Sequence, residues 1–471
     1  MLIQFTIQNF LSFRDEVTFS MVAVNSDNQH SDHLAQNEAG EARSVLPIAA
    51  IYGANAAGKS NLIKAMSFVK TLVVKGTRAN QSIAVPTFKL GDYDKQTSKF
   101  EFIFTHQGSQ YSYGFRLNKE QIVEEWLHGI PKGKKKEVMY FERTTSPSSK
   151  KEPIVEFGTI LKGRSPTKGK DSNRHLNLKF IATGTRQNQL FLTEAIDRRI
   201  EILMPVFNWF KNVLMIVPAE SDFRDLEVGV SVDDSFTDFL SKFLTFSGTG
   251  IEAISTDVVE LDFDNHLSAI PKGLRDGLLE DLKENSVATV GNSQGGRFLL
   301  SRGKNGQVNL TQLKTSHRHE NGDLIDFSMD EESEGTQRLI NLIPSLYILG
   351  KDAEKVIFID ELDRRLHPLL SRSFVESAIN CRSRENQLIF TTHDTNLLDL
   401  DLLRRDEIWF VEKNKNGISD CYSLAEFKIR PDLKIEKGYL NARFGAIPFF
   451  GNPKDLGWFE CEDSLSDKAN R

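Results

Sequence analysis

The sequence has little cysteine. Cys381, Cys421 and Cys461 are odd in number and forty residues apart, which fits neither a disulfide framework nor a zinc cluster and points to a reducing cytosol. No run of about 18 apolar residues is present, so no helical membrane span is expected and no membrane partner. The opening stretch MLIQFTIQNFLSFRDEVTFSM carries Arg14, Asp15 and Glu16 in its middle, which excludes the apolar centre of a secretion signal. An excess of positive charge is also missing. With 59 Lys and Arg against 65 Asp and Glu, the net charge is −6, so the chain lacks the global basic field of a small nucleic-acid module. Nucleic-acid contact would have to come from a local patch, either Lys132–Lys136 or the loop Lys162–Arg174. Solvated loop tips are the commoner explanation of both. Sustained heptads and internal repeats are absent as well, which excludes long coiled-coil arms.

What is present is a chain of 471 residues, 39% hydrophobic and with 33 Phe, enough for two or three packed lobes. Alternation over 2–8 and 17–24 predicts an N-terminal hairpin. The apolar run 46–52 predicts a buried parallel strand, followed by a helix over 60–74. Period-two segments from 99 to 156 predict an inserted antiparallel β lobe, and 162–175 a polar basic loop. Helical spacing returns over 190–250, and the charged stretch 260–325 yields only a coarse assignment. A helix at 336–349, a strand at 356–359, a helix at 370–380 and a strand at 388–392 complete a parallel sheet. The expected divisions are 1–95, N-terminal half of the core; 96–160, β lobe; 161–330, helical and insert lobe; 331–430, C-terminal half of the core; and 431–471, tail.

The strongest chemical signal is GANAAGKS, Gly53–Ser60, placed between an apolar strand and an amphipathic helix. Its glycines let successive backbone N–H groups turn onto phosphates. Lys59 would reach the β and γ oxygens and Ser60 would ligate Mg²⁺ at the helix N-terminus. Gly53, Asn55, Ala56, Ala57, Gly58, Lys59, Ser60 and Asn61 are therefore the candidate nucleotide contacts. In VIFIDE, Val356–Glu361, four apolar residues carry Asp360 to the carboxyl edge of a strand, where it would hold Mg²⁺ through its water shell. Glu361 is the candidate general base for the attacking water. LIFTTHD places His393 directly after another apolar strand, within reach of a γ-phosphate. SEGTQ, Ser333–Gln337, begins a helix, so Ser333, the Gly335 amide, Thr336 and Gln337 face phosphate oxygens or simply cap that helix.

IYGANAAGKSNLIKAM, ESEGTQRL, FIDELDRRLHP, FTTHD and GYLNARFGAIP together resemble the prokaryotic ABC-type ATPases of the AAA15/AAA21 family, the RloA and AbiL type, related to OLD, Rad50 and SMC ATPase heads. FTIQNFLSF and FLTFSGTGI look like that family too. The resemblance implies an α/β fold: a P-loop ABC-type ATPase core with an inserted antiparallel β lobe and a helical lobe. It implies ATP and Mg²⁺ as cofactors and a head-to-tail homodimer, or a higher oligomer built from such dimers. In that assembly Ser333–Gln337 act on the P-loop of the neighbouring subunit, and Asp363 falls at the D-loop. Either Gln187 or Gln189 stands where a Q-loop glutamine contacts Mg²⁺ or water. Arg365 departs from the pattern, which has a small polar residue before LHP.

The family's role is defence against phage or foreign DNA beside a toxic effector, often a Toprim-like nuclease. Only 78 residues (471 − 393) follow His393, and Asp406, Glu407 and Glu412 do not form that nuclease's acidic constellation. A separately encoded effector is therefore expected. The alternative reading is a RecF- or Rad50-like repair ATPase that clamps duplex DNA; a transporter motor subunit would carry a smaller β insertion and a membrane partner.

Overall fold

In the computed structural model, the described residues are 1–24, 27, 29–35, 44–145, 153–163, 169–220, 223, 226–261, 282, 287–291, 297–302, 307–351, 353–428 and 434–447. Cys461, the tail beyond 447 and residues 164–168 of the expected basic loop lie outside them.

The N-terminal hairpin forms as β1 (Leu2–Gln8) and β2 (Val17–Ser20), and the run at 46–52 becomes β3 (Ile48–Tyr52), which feeds helix α1 (Lys59–Lys75). Five strands follow: β4 (Ser98–His106), β5 (Ser109–Leu117), β6 (Ile122–Ile130), β7 (Val138–Thr144) and β8 (Ile154–Phe157). They are antiparallel, as their period-two pattern requires, but they do not stand apart. β1 pairs with β4, giving one seven-stranded sheet in the order β2-β1-β4-β5-β6-β7-β8. No sheet boundary therefore falls at residues 95/96. The reason is non-local: Phe5 and Ile7 need neighbours on their own face, and Phe102 and Phe100 supply them across the β1–β4 ladder.

The expected loop 162–175 is helical from Gly169. It enters α3 (Gly169–Gly184), after the single turn α2 (Thr159–Lys162) and before α4 (Phe191–Asp197). Next come α5 (Met204–Asn208), strand β9 (Leu214–Val217), α6 (Leu226–Val232) and α7 (Asp234–Phe246). The second half of the expected helical lobe is instead a sheet. β10 (Ile251–Glu260), β11 (Val287–Gly291), β12 (Arg297–Arg302), β13 (Val308–Arg318) and β14 (Leu324–Ser328) are all antiparallel, in the order β10-β13-β12-β11 with β14 on β13. β10 and β13 are rich in polar residues with a sparse buried apolar face, so the helix-scale pattern is weak there. Ile251, Ile254 and Leu313 still pack with Leu240 and Leu244 against the next helix, α8 (Glu334–Leu349).

β15 (Val356–Ile359), α9 (Pro368–Cys381), β16 (Gln387–Thr391), β17 (Ile408–Lys413) and β18 (Ser419–Ser423) follow. The central sheet has the order β18-β17-β3-β16-β15-β9 and is parallel apart from β17–β18. Both of its faces are buried. Ala49, Ile51, Phe358 and Ile389 point into the core shared with α1 and the seven-stranded sheet; Ala50, Tyr52, Ile359 and Phe390 point to the core under α8 and α9. This double burial is why these strands read as continuous apolar runs. Between the sheets Phe104 stacks on Trp209 with ring centroids 4.1 Å apart, while Phe102 meets Phe210 edge-on at 5.2 Å. Such pairs contribute about 0.5–1.5 kcal/mol beyond area burial.

Candidate functional site

Four parallel strands end at one edge of the central sheet. Register pairs Ile359 with Val217 and Phe390, and Thr391 with Ile51. The residues that follow β9, β15, β16 and β3 thus meet where ligands bind in open α/β sheets.

After β3 the chain makes the Gly-rich loop. A Cβ on Gly53 would sit 2.3 Å from the Val411 carbonyl oxygen. One on Gly58 (φ 126°) would sit 2.5 Å from Ser419 Oγ, so both positions demand glycine. Ala56 takes up φ 61°, the left-handed turn that aims successive amides inward. Two serines that the sequence reading passed over brace this loop from outside. Ser419 Oγ donates to Ala57 O, and Asn61 Nδ2 donates to Ser12 Oγ at 2.8 Å. Ser419 belongs to no motif, and Ser12 lies in FTIQNFLSF without anything that marks a contact to the phosphate loop. Lys59, only 5% exposed, donates to Gly53 O at 2.8 Å and to His393 Nε2 at 2.9 Å. As acceptor, that imidazole is neutral with its proton on Nδ1. Burial, then the neighbouring Lys59 ammonium, holds the His393 pKa below its ordinary value. Burial likewise depresses Lys59, to about 8, against the raising influence of Asp360, Glu361 and Asp363.

Asp360 is buried at the end of β15. Its Oδ1 accepts from Ser60 Oγ at 3.2 Å and from Thr391 Oγ1 at 2.6 Å. Two adjacent ligands of an octahedral ion at ~2.1 Å are ~3.0 Å apart, so the Ser60 and Asp360 oxygens fit Mg²⁺ in type and spacing. Thr391 does double duty, since its hydroxyl also accepts from Glu361 N at 2.7 Å. The threonine pair in FTTHD was its only sequence signal. Glu361 adopts φ 48°, a strained position for a non-glycine. Arg338 holds that turn by donating from Nη2 to the Asp360 and Glu361 carbonyl oxygens, at 3.2 Å each. The Glu361 carboxylate is half-exposed and lies 3.5 Å from Arg364, whose other amine meets Glu220 at 3.2 Å. Glu220 follows β9, beside Asp360's strand, and it too went unnoticed in the sequence. Asp363 accepts from His393 N through both carboxylate oxygens at 3.2 Å, joining the D-loop to the histidine's strand end.

Ser333 caps α8, accepting from Thr336 N at 3.1 Å, and Gln337 Nε2 donates to Glu332 O at 2.9 Å. A Cβ on Gly335 would lie 2.8 Å from Arg365 O, so the D-loop backbone requires glycine there whatever the ligand. Arg365, the departure from the family pattern, pairs with Glu334 at 3.2 Å and clips the D-loop to the first turn of α8. Among the described residues, no hydrogen bond or ion pair joins 333–337 to 53–61, and Ser333 is exposed.

The Q-loop expectation is corrected. Gln189 Oε1 accepts from Thr77 N at 2.8 Å, beyond the C-terminal end of α1. A 17-residue helix is ~25 Å long, which separates Gln189 from Ser60 at the other end. Gln187 is two residues away, bonded through its carbonyl to Ile122 N. Neither glutamine is a Mg²⁺ contact. The resemblance points to them by their place between the β lobe and the helical lobe, which says nothing about which end of α1 they reach.

Residues 48–399 match the family described as AAA domain, putative AbiEii toxin, Type IV TA system. The chain belongs to this family. As a member of the AAA-domain group it is a P-loop protein of the ATPase kind, with Lys59, Ser60, Asp360 and Glu361 inside the matched region. No curated protein matches the chain. Among solved structures, the SMC head domain from Thermotoga maritima is similar at 13% identity and a TM-score of 0.35, over 91% of this chain and 99% of that one. The Smc head with an extended coiled coil bound to the C-terminal domain of ScpA, from Pyrococcus furiosus, has 14% identity and a TM-score of 0.37, over 94% and 98%. Likeness at this level says nothing of what the present chain binds. Among the described residues no helix is long and apolar enough to cross a membrane.

The depressed Lys59 has a measurable consequence. Its pKa near 8 lies below the unfolded value, so the buried ammonium disfavours the nucleotide-free fold below pH 8, and that cost fades as the pH rises further. Phosphates favour the ammonium. Nucleotide binding should therefore take up a proton at higher pH, and ATP affinity should fall by roughly tenfold per pH unit above the Lys59 pKa. Titrations across about pH 7 to 9.5 test this, with Lys59→Arg as the variant that stays charged. A flat profile in the parent protein would refute it.

Proposed function

We propose that this chain is an ABC-type ATPase that closes head-to-tail around two ATP–Mg²⁺ molecules, hydrolyses them, and thereby controls a separately encoded toxic effector in defence against phage or foreign DNA. The observation that carries the reading is the convergence of Lys59, Ser60, Asp360, Glu361 and His393 on one sheet edge, while Ser333 caps an exposed helix end bonded to none of them. In this reading the loop amides and Lys59 hold the β- and γ-phosphates, and Ser60 with Asp360 holds Mg²⁺, which neutralises phosphate charge. Glu361 takes the proton of the attacking water, and His393 reads the γ-phosphate. Ser333 and the amides of α8 complete the site of a second copy. The toxin–antitoxin wording of the family description supports effector control, and the sparse cysteine supports a cytosolic location.

Mixing two inactive variants tests the shared site. Lys59→Ala disables the phosphate loop, and Ser333→Arg blocks the helix end. A mixed dimer retains one site with both halves intact, so combining the two proteins should restore part of the ATPase rate that neither has alone. If Ser333 instead served its own chain's loop, the mixture would stay inactive.

A further inference from the structure

Far from the nucleotide edge, two histidines and an aspartate stand together between β2 and β3. One ring nitrogen each of His30 and His33 and a carboxylate oxygen of Asp32 lie within 4.8 Å of one another. This is the sole such group among the described residues. We propose that His30, Asp32 and His33 form a binding site for a first-row divalent transition ion of the zinc class, which fastens the segment before β3 to the start of β17.

The argument rests on how the two imidazoles are held. His33 Nδ1 is 3.1 Å from both carboxylate oxygens of Glu407. A carboxylate only accepts, so Nδ1 carries a proton, and in the neutral ring Nε2 keeps its lone pair. His30 Nε2 is 2.7 Å from the Leu400 carbonyl oxygen, which by the same logic protonates Nε2 and frees Nδ1. Among the described residues neither freed nitrogen makes another hydrogen bond. An imidazole that gives one N–H to a carboxylate or carbonyl and offers the other nitrogen is the arrangement that orients metal-bound histidines, and it occurs here twice. The rings themselves stack at 4.9 Å.

The platform beneath is rigid. Glu407 is fully buried and also accepts from Arg404 N at 2.9 Å. Arg404 is buried and bound through two nitrogens to Asp406 at 2.9 Å, and Arg382 donates to His33 O at 3.0 Å. Asp32 is exposed, so it can swing. Donors around a tetrahedral zinc at ~2.0–2.1 Å are ~3.3 Å apart, a closure that rotation of the Asp32 carboxylate and small shifts of the two rings on their Leu400 and Glu407 bonds provide, with water in the remaining position. Glu407 precedes β17 whereas Gly53 follows β3, and these strands run parallel with Ile408 opposite Ala50. The cluster therefore lies at the opposite edge of the sheet from the phosphate loop, and its ion would be structural.

The test uses full-length protein dialysed against chelator and then titrated with ZnCl₂ by calorimetry, with CoCl₂ absorption reporting ligand geometry. One equivalent should bind and raise the melting temperature. His30→Ala and Asp32→Ala should each weaken binding by about 10–100-fold, and Asp32→Ala, which changes an exposed side chain, should do so while leaving the metal-free melting temperature in place. Absence of stoichiometric binding would overturn the proposal. So would zinc that binds equally well to both variants, the result expected if it sat at the Ser60–Asp360 pair.

Discussion

Glu361→Gln is expected to lower the steady-state ATPase rate by about 10²–10⁴-fold, the usual contribution of a positioned general base, while ATP affinity stays near that of the parent. The amide keeps the shape of the carboxylate and can still lie beside Arg364, 3.5 Å away, but it cannot accept the proton of the attacking water. The hydrogen bonds of Lys59, Ser60 and Asp360 do not involve the Glu361 side chain; only its electrostatic support of the Lys59 ammonium is lost. Thr391 engages the Glu361 backbone N–H alone. The variant should therefore accumulate as an ATP-bound dimer. Phosphate release and sedimentation velocity, each with and without ATP, are the measurements. A rate within threefold of the parent would assign the base elsewhere, and a lost rate without the dimer would remove the mechanism of the shared site. Glu220 sets the control. It shares Arg364 with Glu361, so Glu220→Gln probes the orientation of that arginine without touching the base.

The second large effect is on stability and lies in the seven-stranded sheet. Glu125 is fully buried. It accepts from Phe191 N at 2.6 Å, from Leu192 N at 3.0 Å and from Tyr113 OH at 3.0 Å, and it lies 3.7 Å from the equally buried Arg143. It thus caps α4 and neutralises a guanidinium in one step. Burial raises the Glu125 pKa and lowers that of Arg143; each charge is held by the other against desolvation. Removing one partner of a buried pair costs about 3–5 kcal/mol, and Glu125→Ala should lower the urea midpoint accordingly. Glu124, the neighbour on the exposed face, should change stability by about 0.5 kcal/mol or less when replaced by Ala. Adding Arg143→Met to Glu125→Ala should recover part of the loss, because the stranded cation is then gone. A midpoint unchanged by Glu125→Ala would mean that water reaches this pair.

The residues that make up the candidate site were legible because each motif is a short contiguous string whose geometry is local. GANAAGKS turns between a strand and a helix, VIFIDE places its acids at a strand end, and THD does the same one strand later. The P-loop helix was expected over 60–74 and spans Lys59–Lys75; the strand expected at 356–359 has those bounds. The supporting roles of Ser12, Ser419, Thr391, Arg338 and Glu220 were not legible. Thr391 and Arg338 sit inside quoted motifs, and Ser419 and Glu220 come from segments whose neighbours point elsewhere; no periodicity marks a side chain that supports another.

The sequence by itself determined the residues of the candidate nucleotide site and the parallel strands that carry them, since apolar runs buried on both faces admit few other arrangements. Only the tertiary structure decided how the rest is joined. It extended the N-terminal hairpin into the seven-stranded sheet, built a second antiparallel sheet from 251–328, and placed Gln189 at the wrong end of α1 for a Mg²⁺ contact. It also set Arg365 against the first turn of α8, and brought His33 to Glu407 across 374 residues. Strand pairing and side-chain meeting over such separations depend on which faces need covering, and that is a property of the assembled layers.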